Sequence, residues 1–418
     1  MANLRMLRLL WLATALPLVA CGSSRTDSGA GDDERTKYLN ETSTNWAMTR
    51  GYPRGTAYNP FEQELNPSTV GELAVRWQAD SNAQFVIQHS GRAFSSSGDA
   101  YDLATGELLW STEQTLPNAV VCKGALFAVG ASIEKRSPSS GELTGSADLG
   151  MPDALFSLPT AKDSSVVFAT ANAAATDATE PGGAYLAYDV VAQTTRTVDT
   201  PGSDYRTLAP AALTSGMLYA PALEPAAGGF RYLAFGAVFD ANAAQQRNPW
   251  ATVIDEGIPS PAELPRLGAM VIGARVLLPS ADRHALVSLD QRTGALAWRS
   301  TAASSVDSLA VDFDYAYVAG SDEQGQLVVQ GFDVSSGAAH FTQTLGAGTV
   351  TGQIAVGGEV LYLGSSAGEL IALDASTGAV LTRVALGGSV GNPIVSSGKV
   401  FTSNGEQVVA LGLPPIAP

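Results

Sequence analysis

The chain has 418 residues, of which 45% are hydrophobic and only 15% charged; 24 basic residues against 40 acidic give a net charge of −16. A surface of that sign repels nucleic acid and anionic lipid, which excludes both as partners bound through charge. Length alone allows two or three domains, and the only cysteines, Cys21 and Cys122, cannot form the framework of a disulfide-rich fold.

Residues 1–20 read as a signal peptide outside the fold. Arg5 and Arg8 precede an apolar run from Leu9 to Ala20 that is too short to span a bilayer. Leu18-Val19-Ala20-Cys21 resembles the bacterial lipobox, and that resemblance implies that Cys21 becomes the lipidated first residue of the mature protein, with palmitate among its acyl chains. Gly22 after the cysteine implies the outer membrane by the same resemblance. Loss of the peptide would leave a chain of net charge −18. Residues 21–45 are rich in Ser, Thr, Gly and Asp, with too little apolar surface to offset the entropy of ordering; they are expected to form a tether spanning roughly 25–30 Å.

Residues 46–72 form a lead-in. Asn66-Pro67-Ser68 is a reasonable start for a short helical turn, with Asn capping and Pro first. Leu73 to Ala79 then reads as a strand carrying Trp77.

From here the sequence repeats. The clearest copy lies at 369–381, where Leu370, Ala372 and Asp374 alternate with Ile371 and Leu373 before Asp374-Ala375-Ser376-Thr377-Gly378 supplies turn chemistry. An Asp carboxylate accepts hydrogen bonds from N–H groups just ahead of it, and Gly takes the positive φ that closes a hairpin. The phrase occurs with Asp102 and Gly106, with Asp290 and Gly294, and with Asp333 and Gly337. Worn copies follow Asp189 and Asp240 and span Ser137 to Gly141. Asp102 to Trp110, Asp290 to Trp298, Asp333 to Phe341 and Asp374 to Thr382 are each eight residues apart, which implies one structural slot filled best by Trp.

Two further apolar runs precede each hairpin, so the unit is four short strands recurring every 40–50 or so residues, the period of propeller blades. Units are expected near 84–114, 118–149, 154–198, 205–254, 264–301, 306–345, 349–386 and 392–413, with insertions at 171–183, 223–229, 241–248 and 255–265. The last unit has three strands, because Pro414 and Pro415 cannot extend a ladder and 414–418 reads as a tail. The strand around Trp77 supplies the fourth and removes two exposed sheet edges. The predicted fold is all-β: an eight-bladed propeller of four-stranded antiparallel blades over 73–413, closed by an N-terminal strand.

The lead-in residues Trp46, Gly51, Asn59-Pro60, Leu65-Asn66-Pro67, Val70, Leu73 and Trp77 look like the opening of quinoprotein-type, PQQ-like propellers. Enzymes of that class hold the quinone between a Trp and a vicinal disulfide, beside a Ca²⁺ or similar ion and an Asp base. This chain has no adjacent cysteines and no C-x-x-C-H for an attached haem. Trp110, Trp250 and Trp298 are expected in the blade-docking slot rather than at a cofactor. His89, His284 and His340 lack ligand spacing, Asp312-Phe313-Asp314 reads as a turn, and no G-x-S-x-G, Walker or H-E-x-x-H motif occurs. Cys122 reads as a small buried thiol in an apolar strand.

The signal, the repeats and the blade count together resemble the BamB-like lipoproteins of outer-membrane protein assembly. That resemblance implies a non-catalytic, monomeric scaffold that binds protein partners through its loops, with no catalytic, cofactor or metal site. The alternative is a redox or sensory protein binding PQQ or another small ligand in the central funnel.

Overall fold

Three apolar strands and one alternating strand make up each repeat, and the burial follows that division. In Val360–Gly364 every residue is buried, whereas along Val380–Ala385 exposed and half-buried positions mix. A strand with neighbouring sheets on both faces reads as a continuous apolar run, and only an outermost strand shows water one face. The computed structural model describes residue 39 and residues 50–415, apart from 52–53, 117, 131, 149–153, 157–159, 162–165, 174–183, 203–204, 208, 215, 240–247 and 261–263. The signal peptide, Cys21, nearly all of the tether, Trp46 and Asp240 lie outside the described residues.

Among the described residues the strands form eight sheets, antiparallel except for one short parallel pair. Blade one runs from Val86–His89 to Leu108–Ser111, and blade two from Ala119–Cys122 to Leu143–Asp148. Blade three starts at Ala154–Phe156 and ends at Thr194–Val198; blade four starts at Arg206–Thr207 and ends at Trp250–Ile258. Blades five, six and seven span Met270–Ile272 to Leu296–Thr301, Ser308–Val311 to Ala339–Ala347, and Ala355–Gly357 to Val380–Ala385. Blade eight takes Gly391–Ser396, Lys399–Ser403 and Gln407–Gly412 from the far end of the chain and Ala74–Asp80 from the near end. This last pair is antiparallel, Ala74 opposite Gly412 and Asp80 opposite Gln407, with a bulge between Val75 and Trp77.

Inner strands of successive blades touch, blade three reaching the inner strand of blade four through its middle strands Val166–Ala173 and Ala184–Asp189, and the innermost strand of blade eight touches that of blade one, so the sheets close a ring. The core lies between blades rather than within them. Phe94 and Trp110 of blade one pack with Val121 and Leu126 of blade two, and Tyr185 of blade three packs with Leu218 and Phe235 of blade four.

Two of the expected insertions are partly strand. Met217–Ala226 and Gly229–Val238 form a hairpin of two ten-residue strands through 223–229 in blade four, and the outer strand of that blade covers 255–258 of the insertion expected at 255–265. The Ala/Pro/Gly composition of 223–229 imitates a loop, but Leu223, Phe230 and Tyr232 are buried with Leu264, and Gly228 and Gly229 close the turn at positive φ. The insertions expected at 171–183 and 241–248 fall mostly outside the described residues.

The lead-in is not a peripheral strand. Tyr58–Asn59 pairs in parallel with Val356 and Gly357, on the inner edge of blade seven. Asn66 then accepts from the Ser68 N–H through Oδ1 and from the Thr69 and Val70 N–H groups through its carbonyl, leading into a 3-10 turn at Val70–Glu72.

Candidate functional site

Two constellations are built above the level of a single sheet: the docking turns at the outer rim and the lead-in at the axis.

At the rim, the carboxylate of each clear repeat organises its own turn. Asp374 Oδ1 accepts from the Ser376 N–H at 2.9 Å and the Thr377 N–H at 2.8 Å, and the Ser376 hydroxyl donates to the same oxygen. Asp102 does the same with Ala104 and Thr105, Asp290 with Arg292 and Thr293, and Asp333 with Ser335 and Ser336. The backbone hydrogen bond from Thr105 holds the Asp102 carboxyl below its ordinary range. At Asp290, Asp333 and Asp374 burial works against ionisation, but the hydrogen bonds outweigh it and the pKa again falls.

The glycine closing each turn has a second task. Gly106, Gly294, Gly337 and Gly378 have φ of 75°, 72°, 74° and 73°. A Cβ on any of them would stand inside an aromatic ring of the preceding blade: 2.5 Å from Trp77, 2.4 Å from Trp250, 2.6 Å from Trp298 and 2.3 Å from Phe341, respectively. Each indole also donates its N–H to a carbonyl of the turn it covers: Trp77 to Leu103, Trp250 to Gln291 and Trp298 to Val334, at 3.2, 3.1 and 3.0 Å. Trp110 docks likewise on the worn turn of blade two, against Gly141 and the carbonyl of Pro138. Trp77 is the contact that joins blade eight to blade one.

The sequence pattern shows the offset within one repeat but misses that aromatic and glycine belong to different repeats. Where the aromatic is missing, so is its receiver. Blade two carries Gly145 at that offset, and the turn of blade three has Gln193, at φ 55°, in place of Gly. Blade seven carries Thr382, and the next blade has no such turn, because its third and fourth strands come from opposite ends of the chain.

At the axis, Arg50 and residues 54–59 lie against the inner edges of successive blades. The Arg50 guanidinium is buried and donates to the carbonyls of Pro210 in front of an inner strand of blade four and of Gly268 and Ala269 in front of that of blade five, at 3.4, 3.2 and 2.6 Å. Burial lowers its pKa to about 10, which leaves it charged at neutral pH. The carbonyls of Arg54, Thr56 and Ala57 accept from Val271, Val311 and Val356 on the inner strands of blades five, six and seven. Asn59 Nδ2 donates to the Val395 carbonyl at 2.8 Å, and Glu62 Oε2 accepts from the Gly398 N–H at 3.1 Å, both in blade eight. Sequence reading recognised the lead-in but not this role; alternating polar and small residues around Arg50 and Arg54 give no periodic signal.

The remaining candidates stay apart. His89 is on an inner strand of blade one, His284 in a turn of blade five, and His340 on the outer strand of blade six, stacked on Tyr315 at 4.3 Å. Among the described residues no three His, Cys, Asp or Glu side chains are placed to hold a metal ion. Cys122 is a buried thiol on the inner strand of blade two. Asp312 closes a turn, accepting from the Asp314 and Tyr315 N–H groups and the Tyr317 hydroxyl, and burial pushes its carboxyl up.

A family model described as outer membrane protein assembly factor BamB matches residues 324–412, which covers the end of blade six, blade seven and the C-terminal strands of blade eight. Comparison with curated proteins finds no match. Among solved structures, the chain is similar to quinohemoprotein alcohol dehydrogenase ADHIIG from Pseudomonas putida HK5, with a TM-score of 0.68, 12% identity, and coverage of 92% of this chain and 82% of that one. The corresponding enzyme from Comamonas testosteroni gives 0.67, 11%, 93% and 83%. BamB from Moraxella catarrhalis gives 0.54, 16%, 83% and 99%. The fold is that of the PQQ-like β-propellers. Enzymes and an assembly factor both share it, so function has to be argued from this chain's own sites.

Two predictions follow from the docking turns. Trp77→Ala removes the indole that docks blade eight on the Gly106 turn of blade one and is expected to cost about 3–5 kcal/mol in urea unfolding. Gly378→Ala, whose Cβ would meet Phe341, should cost on the order of 1–3 kcal/mol more than Gly91→Ala, which has φ +74° but open space around it. The acid response has a definite sign. Folded carboxyls with a depressed pKa stabilise the fold above the unfolded value of about 4, and that stabilisation is lost as pH falls through the folded values. The urea midpoint should therefore drop on going below about pH 4, and Asp374→Asn should reduce that drop.

Proposed function

We propose that this protein is a non-catalytic interaction scaffold, held at the outer membrane through lipid on Cys21 and presenting its propeller to protein partners, in the manner of an outer-membrane assembly factor. The observation that carries the reading is the axial segment. Channel-facing edges of blades five to eight, where a ligand of the central funnel would be received, are taken by the chain's own residues 54–62. The cysteines support it too: Cys21 and Cys122 are far apart in sequence, so no vicinal disulfide can sandwich a quinone. The outer rim supplies contact surface instead. Leu108, Leu143, Leu296 and Val380, each six residues after the start of its turn, are exposed at 54, 50, 59 and 38%. The match of residues 324–412 to the BamB family model favours assembly as the scaffold's task.

The competing reading is a quinone-binding redox or sensory protein, favoured by the likeness to two quinohemoprotein dehydrogenases. Incubating the purified propeller with PQQ and Ca²⁺ separates the two. The scaffold reading expects no stable chromophore and no dye-linked alcohol oxidation; either one would overturn it. Metabolic labelling with a palmitate analogue is expected to mark the wild-type chain and not Cys21→Ser. Crosslinking in intact outer membranes should recover a reproducible protein partner, and fewer crosslinks are expected when Leu108 and Leu296 are both changed to Ser.

A further inference from the structure

Ring closure and attachment use the same end of this chain, and that poses a mechanical problem. Ala74–Asp80 is an outermost strand paired along one edge only, with Gln407–Gly412. Tension applied at its Ala74 end would break its pairs one after another, because each is exposed only when the previous one has gone. Anything attached upstream of residue 50 would deliver such tension. Between the two lies the axial segment, and its bonds are arranged differently. They are spread over five blades: the Arg50 guanidinium on blades four and five, the Arg54, Thr56 and Ala57 carbonyls on blades five, six and seven, and Asn59 and Glu62 on blade eight.

Arg50 is the first of these that tension would meet. Its three carbonyl partners sit on two blades, so they must give way nearly together rather than in sequence. The surrounding backbone leaves the guanidinium no slack. A Cβ at Gly55 would lie 2.6 Å from Arg50 Nη2, and one at Gly268 would lie 2.4 Å from Nη1. The chain also turns back here, the Ala57 N–H donating to the Arg50 carbonyl at 3.1 Å. A charged group that is hydrogen-bonded and out of water is costly to extract.

We propose that Arg50 and residues 54–62 form a strain-relief anchor, with Arg50 as its positioning residue, that passes force arriving from the N-terminal tether to blades four to eight and keeps it from the ring-closing strand. The source of that force rests on the tethered scaffold reading; the mechanical claim does not. Single-molecule pulling tests it, with one handle upstream of residue 50 and the other on Val191→Cys, an exposed turn position in blade three, in a Cys21→Ser background. The wild type is expected to show no early extension before the ring itself unfolds. Arg50→Met should add an early step at lower force, releasing residues 50–80, about 100 Å at full extension. Asn59→Ala leaves the guanidinium in place and should lower the force of first rupture by a smaller amount, which keeps the test decisive if Arg50→Met fails to fold. An early step of that length in the wild type, or unchanged rupture forces in the variants that fold, would overturn the proposal. The handle stands in for the lipid, so the result does not depend on acylation of Cys21, which palmitate labelling decides separately.

Discussion

The pairing of Ala74–Asp80 with Gln407–Gly412 is the constraint from which the architecture follows. A row of four-stranded sheets packed face to face leaves one uncovered face at each end, and a β-sheet with an open apolar face invites association. Bending the row into a ring removes both faces at once. It also demands that residues more than three hundred apart in sequence meet, which is slow to find by diffusion and favours late closure in folding. The other aromatic joints link consecutive blades and can form beforehand.

What holds each joint is a ring lying where a side chain would otherwise begin. An indole against a glycine buries apolar area, and its N–H is satisfied by the carbonyl of the same turn, so neither partner leaves an orphaned polar group. The joints are unequal around the ring. Among the joints whose turns are described, blades eight to one, one to two, four to five and five to six have an indole; six to seven has Phe341, without a donor; two to three and seven to eight have none. Blades two and three are also where the repeat is hardest to recognise, which fits the loss of the pair: once the aromatic is gone, the glycine opposite is no longer required.

Much of the architecture could be read from the sequence because its signals are local. The two-residue alternation, the Asp-to-Gly turn and the eight-residue offset each lie within a dozen residues, and the missing fourth strand of the last repeat pointed to Trp77. The sequence was silent where the determining contact is remote. Nothing near Gly106 says that its glycine is reserved for Trp77, and nothing near Arg50 names Pro210 or Ala269. The hairpin of blade four was misjudged for the opposite reason: its composition is that of a loop, and only burial of Leu223, Phe230 and Tyr232 against Leu264 makes it strand. The functional reading stands on the least local features of all, the axial segment and the exposed positions of the outer strands.

A closed circle of blades has no intrinsic beginning. The place where the backbone is interrupted, inside blade eight, is one choice among several that the packing would tolerate. Relocating the termini by circular permutation to another rim turn would leave every inter-blade joint in place. The axial segment breaks that equivalence. It is fitted to particular blades and continues into the ring at blade eight, next to the present break, so the polypeptide has a preferred origin that the propeller alone does not impose. Evolution could therefore duplicate or erode single blades far from residue 50 while the side of the ring facing the anchor stayed fixed.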